Sequence, residues 1–105
     1  MNNNIINNTS FHDQEILDLN INNNNLTIIA NDDLGNKYTF TIKNAKIESN
    51  SLVEINEIIG STIFTLSCHK LDDKENYIHL ETVNMNSPFN DEFNIYSNDI
   101  IIKIE

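Results

Sequence analysis

The sequence predicts a mainly β domain: an antiparallel meander of seven or eight short strands forming a curled sheet, partial barrel or sandwich, with one short helix near residues 52–59. Three observations lead there. Apolar residues recur with period two along most of the chain, clusters of Asn, Asp and Gly interrupt them at nearly regular intervals, and one segment alone departs to helical spacing. A chain of 105 residues can bury one core. The expected division is a loose N-terminal tail over residues 1–10, "MNNNIINNTS", and a single β-rich domain over 11–105.

Beyond the tail, Leu17, Leu19 and Ile21 share one face of "ILDLNI", and Leu26, Ile28 and Ala30 share one face of "LTIIAN". Joining the two through "NNNN" with Ile21 opposite Leu26 puts Leu19 opposite Ile28 and Leu17 opposite Ala30, so the parity closes as a hairpin. The turn "DDLGN" supplies Asp, Gly and Asn for turn hydrogen bonds and positive φ. It leads into "KYTFTIK", where Tyr38, Phe40 and Ile42 alternate with Lys37, Thr39, Thr41 and Lys43, as in a strand with one wet face. "NAKIES" shifts the parity to Ala45 and Ile47, which predicts a bulge or bend near Asn44.

In "SLVEINEIIG", Leu52, Ile55 and Ile58 or Ile59 fall at helical intervals; Ser51 and Glu54 have the spacing of a capping box, and Gly60 is placed to end the helix. From Thr62 the alternation returns, with Phe64, Leu66 and Cys68 on one face and Ile63, Thr65, Ser67 and His69 on the other. "YIHLETV" follows "DDKEN", with Ile78 and Leu80 inward. "NMNSPFND" is a loop, and "EFNIYS" and "IIIKIE" are expected to form a hairpin around Asn98 and Asp99, with Phe93 and Ile95 meeting Ile104 and Ile102. The outward positions include Ile16, Ile29, Ile63, Tyr77, Val83, Tyr96 and Ile101, so that face is either covered or offered to a partner.

Composition narrows the function classes. Sixteen acidic residues against six lysines, with no Arg, give a formal charge of −10, which opposes binding to a phosphate backbone and leaves no guanidinium fork for phosphate. Nucleic acid is therefore an unfavourable partner, and a basic protein a favourable one. No apolar run reaches the roughly 20 residues of a spanning helix. The single Cys68 has no internal disulfide partner, and the N-terminus lacks a basic and then apolar leader, so a cytoplasmic location is expected. Asn and Ile are heavily used, and many of the asparagines read as tolerant surface positions.

Few side-chain constellations carry chemistry. His12 and Asp13 could ligate a metal, but phosphohydrolases with that pair hold it on a helix among further ligands, and here the chain turns to period two; capping and turn roles fit better, with Phe11 packed under the sheet. Matching Cys68 with Leu80 would set His69 opposite His79 with Glu81 on the same face, a possible zinc site with an open position. Cys68 and His69 point to opposite faces of a regular strand and cannot form a dyad. The acidic doublets Asp32, Asp33 and Asp72, Asp73 lack the spacing of a calcium loop and read as turns. No catalytic residue is assigned. With Tyr77 and Tyr96, these acidic turns are the candidate partner-binding residues.

Ser10, Phe11, His12, Asp13 and Ile16, then Leu26 and Ile28, then Tyr38, Phe40 and Ile42 together resemble a pattern in several groups of small bacterial proteins. These open with Ser, Phe or Leu, His-Asp, two variable residues and Ile, and continue as an alternating hairpin; some are assigned as immunity proteins of polymorphic toxin systems. The resemblance implies an intracellular antidote that binds and blocks a toxin by occlusion, with no catalytic residues to carry over; the net charge makes a basic partner the expected one, and no cofactor is expected. The alternative from the residues themselves is a small metal-dependent enzyme using the cross-strand pair His69 and His79 with Glu81.

Overall fold

In a computed structural model, residues 2–4, 9–49, 53–85 and 90–105 are described. They form ten strands of one antiparallel sheet: β1 (Asn2–Asn4), β2 (Thr9–Phe11), β3 (Glu15–Asn22), β4 (Asn25–Asn31), β5 (Lys37–Lys43), β6 (Lys46–Ser49), β7 (Thr62–Lys70), β8 (Asn76–Val83), β9 (Asp91–Ser97) and β10 (Asp99–Ile104). The order is β1-β10-β5-β4-β3-β7-β8-β9-β6, with β2 also on β7, and the sheet is not closed into a barrel. The antiparallel β architecture is the one the alternation predicts. The strand count is higher because the segment expected to be a tail contributes β1, paired with β10, and β2, paired with β7.

The sheet bends into two halves that share one core. One half supplies Leu26, Ile28, Phe40, Ile42 and Ile102; the other supplies Ile63, Leu66, Ile78, Leu80, Phe93 and Ile95. Phe11 of β2 crosses between them, its ring edge-on to Phe40 at 5.3 Å. At the bend, residues 13–16 run along 60–63: Asp13 N donates to Ile63 O, Ile63 N to Gln14 O, Ile16 N to Ser61 O and Gly60 N to Ile16 O.

That junction overturns two expectations of parity. β3 bulges between Ile16 and Asp18, so Ile16, not Leu17, lies opposite Ala30 and is buried, while Leu17 is 47% exposed. β7 bulges between Ile63 and Thr65, which buries Ile63 and turns Phe64 out to 53% exposure. Both Ile16 and Ile63 are held by main-chain bonds to the opposite half, and each bulge re-aims the next side chain. The remaining β3–β4 register is as expected, closing through Asn23 and Asn24, both at positive φ as a type I′ turn requires.

Other segments also depart from expectation. The helix near residues 52–59 is a 3₁₀ turn, Ile55–Ile58, whose buried residues are Ile55 and Ile58; Glu54 makes no capping bond, and Ser51 and Leu52 lie outside the described residues. β9 and β10 do not pair with each other: β10 lies against β5, with Ile102 opposite Phe40 and Ile100 opposite Ile42. The chain instead crosses between halves at residues 97–99, and it crosses back at 43–46, where Asn44 has φ of 50°. Ser97 Oγ joins the two crossings by donating to Lys43 O at 2.5 Å. Burial of Ser97 makes this bond the local replacement for the missing hairpin.

Candidate functional site

The β7–β8 turn fixes what can meet on the outer face. Asp72 Oδ1 accepts from Lys74 N at 2.7 Å and Glu75 N at 2.8 Å, while Leu71 N and Asp72 N both donate to Glu75 O. This compact turn sets Lys70 opposite Asn76, and hence His69 opposite Tyr77, Cys68 opposite Ile78 and Leu66 opposite Leu80. The expected pairing of Cys68 with Leu80 is off by two residues. His79 therefore faces Ser67, and the cross-strand pair of His69 with His79 does not form.

Two rows of side chains result on the outer face of β6, β9, β8 and β7. The first is Lys46, Tyr96, Tyr77, His69, with Tyr96 and Tyr77 ring centres 5.4 Å apart and Tyr77 and His69 6.2 Å apart and nearly parallel. The second is Glu48, Asn94, His79, Ser67. Beyond His79, Glu81 stands opposite Glu92. Tyr77 OH donates to Asn94 Oδ1 at 2.6 Å, which ties the aromatic row to the polar one. Burial pushes the Tyr77 phenol above its usual value, and the nearby Tyr96, Glu92 and Glu48 add to the shift.

The structure thus brings His79 and Glu81 together and leaves His69 in the aromatic row. Glu92 takes the third position, with His79 Nε2 3.6 Å from an oxygen of each glutamate. Neither Glu92 nor Asn94 stands out in one strand's sequence. Placing Ile78 opposite Ile95 and Leu80 opposite Phe93, a match the apolar parity permits, would have found both.

His12 and Asp13 bond each other, Nδ1 to Oδ2 at 2.9 Å, and both are exposed. Asp13 has φ of 69°, the turn by which the chain passes from β2 to β3 along β7. Among the described residues no third ligating group joins them. Cys68 is fully buried, and burial pushes its thiol up to about 12, far from a reactive thiolate.

The acidic turns divide by role. Asp32 accepts from Leu34 N and Asn36 N at 2.9 Å, Asn36 Nδ2 at 3.0 Å and Tyr38 OH at 2.9 Å, whereas Asp33 and Asp73 are exposed. With Asp13 and Glu15, Asp32 and Asp33 rim an open cleft of about 520 Å³. Asn36 first, then the other donors, hold the Asp32 carboxyl below its ordinary 3.8, and the hydrogen bond from Tyr38 OH to Asp32, with burial, raises the Tyr38 phenol. In the interval between the lowered and ordinary values the unfolded chain binds more protons, so this group's stabilisation is complete above pH 3.8 and lost as pH falls through the lowered value. Asp32→Asn should lower the urea midpoint at neutral pH, with a deficit that shrinks below that pH. A deficit independent of pH would show that the charge is irrelevant to the turn.

Among the described residues, no helix is long and apolar enough to cross a membrane. Comparison with known proteins adds no relative to set beside this geometry: no family model, no curated protein and no solved structure matches the chain.

Proposed function

We propose that this is a non-catalytic, acidic binding protein acting in the bacterial cytoplasm, which occludes a basic partner protein in the manner of an immunity protein. The reading is carried by the aromatic row Tyr96, Tyr77, His69 on an open sheet face, bordered by Glu48, Glu81 and Glu92. Aromatic rings supply large contact area at small entropic cost, and Tyr is enriched among residues that dominate binding energy. The flanking carboxylates steer a basic partner and fix its register. Asp73 extends the acidic border from the β7–β8 turn, next to the His69 and Tyr77 end of the row; Asp72 is occupied in closing that turn. The resemblance of the "SFHDQEI" start and its following hairpin to immunity proteins points the same way.

The test is co-expression with the basic product of an adjoining gene, followed by binding measured at low and high salt. A complex that weakens steeply with salt is expected, and Tyr77→Ala with Tyr96→Ala should weaken it at least about tenfold, the cost of losing an interface hot spot. Absence of any complex, together with no protection of cells from the adjoining product, overturns the reading.

A further inference from the structure

We propose that His79, Glu81 and Glu92 form a binding site for a divalent first-row transition-metal ion, with Zn²⁺ the best match to the donors. Register makes the site: Glu81 and Glu92 are direct neighbours across β8 and β9, and His79 is two residues before Glu81 on the same face. Like charges directly opposite in an antiparallel ladder oppose the sheet, and a cation between them reverses that cost.

The distances fit coordination better than direct contact. His79 Nε2 is 3.6 Å from Glu81 Oε1 and 3.6 Å from Glu92 Oε1, too long for hydrogen bonds. Donors bound about 2.0–2.1 Å from a tetrahedral ion stand roughly 3.3–3.4 Å apart, so a few tenths of an ångström of side-chain adjustment completes two edges of the polyhedron. All three donor atoms already lie within 4.8 Å of one another.

Groups behind the donors are arranged as ligand supports. Asn94 Oδ1, fixed by Tyr77 OH at 2.6 Å, stands 3.5 Å from His79 Nδ1; a carbonyl on that nitrogen favours the tautomer whose Nε2 lone pair is free to bind metal. Asn90 Nδ2 donates to Glu81 Oε2 at 2.5 Å, leaving Oε1 turned toward His79. One neutral imidazole and two carboxylates balance a 2+ ion, and a fourth position remains for water or another donor. This site does not depend on the proposed docking role, because it is defined within one chain.

The test is titration of tag-free protein with Zn²⁺ by calorimetry, repeated with Co²⁺ to read its visible ligand-field absorption. One equivalent is expected to bind, with His79→Ala and Glu92→Gln each weakening affinity at least tenfold and His69→Ala leaving it unchanged. Circular dichroism checks folding; should His79→Ala unfold, the conservative change at half-exposed Glu92 decides the matter. Lack of a stoichiometric binding phase overturns the proposal, as does affinity unchanged in Glu92→Gln or equally reduced in His69→Ala.

Discussion

Phe40→Ala should cost about 3–5 kcal/mol, the range for emptying a buried aromatic site. Phe40 is fully buried in the core that the two halves share. It lies opposite Ile28 on β4 and Ile102 on β10, stacks against Tyr38 at 6.1 Å and takes the edge of Phe11 from the other half at 5.3 Å. Removing it opens a cavity lined from both halves, which neither can fill by collapsing alone. Set against the roughly 5–15 kcal/mol of total stability usual for a domain, this is a large share. Urea unfolding monitored by circular dichroism measures it, and a loss under about 1 kcal/mol would contradict the buried placement of this ring.

The second large effect is a contrast between sequence neighbours. Ile16→Ala and Ile63→Ala should each cost about 2–5 kcal/mol, while Leu17→Ala and Phe64→Ala should stay within roughly 0.5–1 kcal/mol. The asymmetry follows from the two bulges, which bury Ile16 and Ile63 almost completely and turn Leu17 and Phe64 toward solvent. Unbroken alternation gives the opposite order. The same urea measurement on four variants therefore tests the register on both sides of the bend, and equal losses within each pair would exclude the bulges.

These residues also show what the sequence carries. Alternation in "KYTFTIK" places Phe40 and Ile42 correctly because β5 lies between two regular neighbours with nothing to disturb its pleat. The bulges after Ile16 and Ile63 arise from main-chain bonds between segments some 45 residues apart, which no local pattern encodes. Ile55, Ile58 and Ile59 have helical spacing, yet only one turn forms, since a helix so short depends on the surface beneath it. For the metal-ligand candidates, sequence identifies His79 and Glu81 but not their partner. The identity of that partner depends on a turn closed by Asp72, which moves His69 to Tyr77, and on the β8–β9 ladder, which brings Glu92.

The paired crossings at residues 43–46 and 97–99 have a consequence for how the molecule folds. Each half of the sheet takes a strand from the chain segment that builds the other: β6 leaves β5 to pair with β9, and β10 leaves β9 to pair with β5. The contiguous hairpins β3–β4–β5 and β7–β8–β9 can form from local contacts, but β6 must wait for β9, and β10 returns to a β5 made more than 50 residues earlier. The sequence separation of those contacts puts the chain among the slower, milliseconds-to-seconds folders typical of non-local β topologies. It also makes the exchange reciprocal, so peeling one half away strips a strand from the other, and the two should come apart as a single cooperative unit.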